Sequence, residues 1–171
     1  MTAPLAIQAL NSMDCDSFVA ALGWVFEHSP WVAARAWQRR PFASLEALHR
    51  AMAETVAAAT ADEQLALICA HPDLGARARL SAASEGEQAG AGLDRLTAPE
   101  FHRLHLLNTA YRDKFGFPFI YAVKGSGKQE ILAALERRLA APPAAERAAA
   151  LEQIYRIAQF RLESTFACTI S

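Results

Sequence analysis

The sequence predicts an all-α fold, a single-domain helical bundle of roughly eight helices with an extended segment near residues 117–124. Three observations carry this reading. Apolar residues recur at helical spacing through most of the chain, capping signals stand at the breaks between these stretches, and strand-like alternation is nearly absent. With 171 residues, 53% of them hydrophobic, the chain is long enough to bury one substantial core and short for two.

The elements follow in order. Asp14 to Glu27 places Phe18, Val19, Leu22, Val25 and Phe26 on one helical face, and Pro30 stops it or begins the next turn. A short helix from Trp31 to Arg39 ends before Pro41, and Ser44 caps the next, which carries Leu45, Leu48, Met52 and Val56. Thr60-Ala-Asp-Glu63 is a capping-box pattern opening a helix that runs through Leu65, Ile68 and Cys69 to His71. Pro72 disfavours helical geometry at His71, so this histidine stands at a helix C-terminus. A helix through Ser84 to Gln88 stops near Gly90 and Gly92. Thr97-Ala-Pro-Glu100 is a second capping box. It starts a long helix to Phe115 with Phe101, Leu104, Asn108, Tyr111 and Phe115 along one stripe, ended by Gly116. The segment FPFIYAV is strand-like in composition, but a lone strand makes no sheet, so it is read as an extended, buried connection. Helices over Lys128 to Leu139 and Pro143 to Ala167, separated by Ala141-Pro142-Pro143, close the chain.

Composition narrows the function. A net charge of -1 gives no electrostatic footprint for nucleic acid and no polybasic segment for an anionic membrane. Cys15, Cys69 and Cys168 are far apart and form no ligand cluster, so they are read as reduced core thiols. The N-terminus lacks a signal-peptide pattern, and Thr169-Ile170-Ser171 is not a peroxisomal address, which fits a cytoplasmic protein. GSGK at Gly125 to Lys128 lacks the full phosphate-loop pattern, and His102 and His105 without further ligands do not make a metal site.

Three polar islands interrupt the apolar pattern: HPDLG at His71 to Gly75, SEGEQAGAGLD at Ser84 to Asp94, and KFGFPFIYAVKG at Lys114 to Gly125. His71 reads either as a helix cap or as a group facing a cleft, titratable near neutral pH. Ser84, Glu87 and Gln88 share one helical face, either solvated or converging on a ligand, and Glu87 beside His71 would favour and orient an imidazolium. Arg161, on the side of Ile154, Ile157 and Ala158, reads either as a snorkelling cation or as a paired charge at a pocket mouth. Asn108 and Tyr111 are read as supports, and Asp113 and Lys114 as solvated helix ends.

HPDLG, SxxEQxxAGLD, the Asn108/Tyr111 helix followed by KFGFPFI, and IAQFRL together resemble the OHCU decarboxylase family over nearly the whole chain. The resemblance implies an all-α domain over residues 1–171, usually a homodimer, with no metal and no organic cofactor. It implies decarboxylation of 2-oxo-4-hydroxy-4-carboxy-5-ureidoimidazoline (OHCU) to (S)-allantoin in urate breakdown. Carried onto this sequence, His71 matches the catalytic histidine and Pro72 the adjacent pocket residue. Ser84, Glu87 and Gln88 match the polar binding helix, Phe119, Ile120, Tyr121, Ala122 and Val123 the wall of the site, and Arg161 the C-terminal arginine. With His71 as the proton-transfer group, Glu87 is read as the carboxylate that sets its orientation and protonation. Tyr121-Ala-Val-Lys124 departs from relatives that carry smaller or sulfur-containing residues there. The alternative from another class is a noncatalytic all-α small-molecule-binding or regulatory domain.

Overall fold

In the computed structural model, described for residues 6–76 and 80–166, the chain is all-α, with nine helices and no strand among the described residues. They are α1 (Ile7–Asn11), α2 (Cys15–Leu22), α3 (Trp31–Trp37), α4 (Leu45–Ala57), α5 (Ala61–Cys69), α6 (Ala82–Gly90), α7 (Ala98–Phe115), α8 (Lys128–Leu139) and α9 (Pro143–Phe166). Two compact units form, one from the described residues up to Leu67 and from Tyr155 onward, the other from Ile68 to Ile154. No helix among the described residues is long and apolar enough to cross a membrane.

In the first unit, α3 packs on both α2 and α4, burying Phe18, Leu22, Val32, Leu48, Met52 and Val56. Asp14 and Ser44 cap α2 and α4 by accepting from the backbone N–H of Ser17 and Ala47. The expected helix from Asp14 to Glu27 is shorter than its apolar pattern. It leaves helical geometry after Leu22, with Gly23 as the C-cap, and turns through His28 at φ 46°. Val25 and Phe26 are buried from this turn, so their spacing is helical without their backbone being so. The added helix, α1, has no capping side chain and no acidic first turn, and its five residues are too few to show a period. The α3 helix ends at Trp37, short of Arg39.

In the second unit, α7 packs on α8, and Leu104 and Tyr111 of the one and Ile131 and Leu135 of the other are buried. Both halves of the expected capping box at Thr97 and Glu100 form, and Gly116 closes α7 in the left-handed conformation at φ 79°. Lys114 is not a merely solvated end. Its Nζ donates to the carbonyls of Leu139 and Ala141 at 2.7 and 3.2 Å, placing a cation on the free carbonyls that end α8. Cys15 is half-buried and Cys69 exposed, so the expectation of core thiols fails for Cys69, which lies off the stripe of buried Leu67 and Ile68. Cys168, Ala167 and Thr169-Ile170-Ser171 lie outside the described residues.

Lys128 Nζ reaches Glu100 Oε1 at 2.8 Å, and this bond, with the backbone N–H of Thr97, lowers the Glu100 carboxyl from 4.5 to about 2. A carboxyl depressed on folding stabilises the fold above its unfolded value and loses that contribution as pH falls through the folded one. Glu100→Gln is therefore expected to flatten the acid limb of stability between pH 4.5 and about 2, measured by urea denaturation at stepped pH. An acid limb superposing on that of the parent protein would refute the role given to this carboxylate.

Candidate active site

His71 follows α5 directly, its N–H bonded to the carbonyl of Ile68 at 3.2 Å, and it is buried, at 7% exposure. This is the helix-end position that Pro72 imposes. The rest of HPDLG forms a turn gripped by side chains of two helices. Gln88 Oε1 on α6 accepts from the Gly75 N–H at 2.9 Å, Asn108 Nδ2 on α7 donates to the Leu74 carbonyl at 2.9 Å, and Arg112 Nη2 meets Asp73 Oδ1 at 2.8 Å. Gly75 holds φ 76°, which favours glycine, and a β-carbon there would lie 2.5 Å from Cδ2 of Leu104, whose methyl would have to move.

The helix facing this turn is started by Ser81, whose hydroxyl accepts from the Ser84 N–H. Ser84 and Gln88 are buried and Glu87 half-buried, while Glu85 and Gly86 are exposed. The three polar residues therefore occupy the inward side of α6. Through the bond between Gln88 and Gly75, that side is tied to the turn headed by His71.

Residues 117–124 run without helix or strand, as the sequence implies, and Phe117, Phe119, Ile120, Ala122 and Val123 are buried. Tyr121 is half-buried, its hydroxyl 3.2 Å from Ser126 Oγ. The backbone is held by side chains: Arg138 Nη1 donates to the Ile120 carbonyl, and Ala122 N–H donates to Gln153 Oε1 at 2.9 Å. Arg138 also donates from Nε to Glu146 Oε1 at 2.6 Å and lies over the Phe119 ring. Tyr111 donates to the same Glu146 oxygen at 2.5 Å and meets the Phe119 ring edge-on. Burial, and then the Glu146 carboxylate, push the Tyr111 hydroxyl well above the ordinary tyrosine range, which keeps it a donor. Glu146, Arg138 and Gln153 have no signature in the sequence motifs. Glu146 reads as an ordinary acidic residue in a helix's first turn, and only its 1% exposure marks it out.

Arg161 belongs to the other unit and is buried at 3% exposure. It does not snorkel. Nη2 donates to Glu27 Oε2 at 2.8 Å, and Nη1 to the carbonyls of Trp24 and Val25 at 3.2 and 3.4 Å, which ties α9 to the turn after α2. A cleft of ≈ 190 Å³ beside the HPDLG turn is lined by Asp73, Gly75, Phe101, Leu104, His105 and Arg112 among others; His71, Ser84 and Glu87 are not on it.

The chain matches the model of the family described as OHCU decarboxylase over residues 11–163. It belongs to that family. A 2-oxo-4-hydroxy-4-carboxy-5-ureidoimidazoline decarboxylase of Haloferax volcanii is 46% identical over 95% of this chain and 96% of its own. The uric acid degradation bifunctional protein PucL of Bacillus subtilis is 48% identical over 90% of this chain, which spans 31% of that longer protein. The crystal structure of an (S)-allantoin synthase aligns at a TM-score of 0.75 and 35% identity, covering 94% of this chain and 54% of that one. The motifs by which the sequence resembles OHCU decarboxylases are thus those of the turn, α6, the extended wall and α9.

Replacing Gly75 by alanine is expected to cost about 1–2 kcal/mol of stability, because an L side chain is strained in the left-handed region. Urea denaturation measures it. Unchanged stability would show that the turn tolerates another geometry.

Proposed function

We propose that the chain catalyses the decarboxylation of OHCU to (S)-allantoin in urate breakdown, as a single OHCU decarboxylase-like domain. The observation that carries this reading is a buried histidine heading a turn that is fastened to the helix presenting Ser84, Glu87 and Gln88 on its inward side. A noncatalytic binding domain would need the polar face but not a titratable ring so held.

The substrate supplies its own electron sink. When the bond from ring C4 to the carboxylate breaks, CO₂ leaves and the electron pair moves into the ring toward the adjacent C=N, giving an enediamine. The ring nitrogen and C5 each gain a proton, and the C4 hydroxyl loses one as it becomes a carbonyl. The protein's tasks are orientation, stabilisation of the displaced charge and delivery of a proton to one face of C5. We assign that proton transfer to His71, with Glu87 orienting the ring and favouring its charged form. Pro72 shapes the entrance, Ser84 and Gln88 recognise the ligand, and Phe119, Ile120, Tyr121, Ala122 and Val123 form the wall. The carbonyl end of Gln88 is committed to Gly75, so its ligand contact is assigned to the amide nitrogen. For Arg161 the assignment is recognition of substrate carbonyls, as the family pattern implies, on a guanidinium whose Nη2 is committed to Glu27. Tight binding of the departing carboxylate by that cation would stabilise the group that must leave. The active species is read as a cytoplasmic homodimer.

The test generates the unstable substrate from urate in situ and follows circular dichroism. The protein is expected to accelerate formation of optically active allantoin, and decay at the spontaneous rate to a racemate, with the protein folded, would overturn the reading. His71→Asn is expected to lower turnover by about 10²–10⁴-fold with the far-ultraviolet spectrum retained. Glu87→Gln is expected to shift the pH profile of turnover, and an unmoved profile would remove it from the proton transfer.

A further inference from the structure

We infer that Asn108 is a positioning residue for proton transfer at His71, acting through the backbone of the turn; this rests on the role proposed for His71. Three α7 residues one turn apart meet three consecutive residues of the turn in reverse order. Leu104 closes on Gly75, Asn108 bonds the Leu74 carbonyl, and Arg112 pairs with Asp73. The Leu74 carbonyl and the Gly75 N–H are the two ends of one peptide group. Asn108 holds one end from α7 and Gln88 holds the other from α6, both at 2.9 Å. A planar peptide bonded at both ends is held against rotation by two hydrogen bonds, and it lies three residues from His71.

Among these contacts Asn108 is the one that joins a bond to buried turn backbone with a cost of its own. The pair of Arg112 and Asp73 is about half exposed, in the range where ion pairs contribute little. Leu104 is an ordinary core residue. Asn108, by contrast, is buried with its Oδ1 lacking a hydrogen-bond partner among the described residues. A buried amide that satisfies only its donor is costly, and a leucine on that stripe would avoid the cost at the amide oxygen. The donor is retained because the Leu74 carbonyl, and with it the orientation of the turn, depends on it. Gln88 cannot replace it, since its bond is to the opposite end of the same peptide.

The experiment takes the full chain, after the wild-type protein has been shown to accelerate formation of optically active allantoin, so that failure of the proposed activity is seen first. Asn108→Leu is expected to lower kcat per folded enzyme by about 10²-fold, the scale of a misplaced catalytic group. KM should stay within about threefold, because Ser84 and Glu87 are untouched. Arg112→Ala is expected to leave kcat within about twofold. A folded Asn108→Leu protein with wild-type kcat overturns the inference, and so does a loss confined to KM. Should Asn108→Leu fail to fold, Asn108→Asp decides: its protonated acid can donate to the Leu74 carbonyl and its carboxylate cannot. The kcat of Asn108→Asp relative to wild type is then expected to rise as pH falls, and a constant ratio overturns the inference.

Discussion

Backbone that is buried outside helices or sheets must have its peptide groups bonded one at a time. Such stretches among the described residues of the second unit include the HPDLG turn and residues 117–124, which are satisfied in part by long side chains projected from helices. Gln88 and Asn108 serve the turn, and Arg138 and Gln153 serve the extended segment. Asn108 and Tyr111, three residues apart on α7, point the one at the turn and the other at the Phe119 ring. One helix therefore touches both non-helical elements of the candidate site, which α6, α8 and α9 hold as well, and positions fixed from helices are held more precisely than positions fixed from loops.

The charged member of this arrangement is Glu146, whose burial would be prohibitive alone. It is stabilised by a tyrosine hydroxyl and an arginine on the same oxygen, and the arginine then spends another donor on the Ile120 carbonyl. The ion pair serves less as a source of stability than as a way of fixing a cation where the extended segment needs a donor. Stacking of that guanidinium over Phe119 places the aromatic residue with the same group.

What was legible in the sequence was whatever local chemistry decides. The capping box at Thr97 and Glu100, the Ser44 cap, the stop at Gly116 and the extended reading of FPFIYAV all depend on residues within a few positions of one another, and all stand in the structure. The stop of α2 at Leu22 was not legible, because Val25 and Phe26 keep a helical spacing from outside the helix. Nor was the burial of Glu146 or of Glu27, since an acidic residue near a helix end is usually solvated. Its partner is set by tertiary contact: Glu27 and Arg161 lie 134 positions apart. The polar islands themselves were visible as departures from the apolar pattern, and one of them supplies Gln88 to the turn, but Arg138 and Gln153, which hold the extended segment, come from ordinary-looking helix positions.

Arg161 shows how far a single spacing argument reaches. Its place beside Ile154, Ile157 and Ala158 put it on the buried side of α9, which its 3% exposure agrees with. Burial of a guanidinium requires a counter-charge and several acceptors, and Glu27 with the carbonyls of Trp24 and Val25 supplies both. Both the carbonyls and the carboxylate lie on the stretch of chain that follows α2, so one short turn provides the whole set of acceptors for the guanidinium.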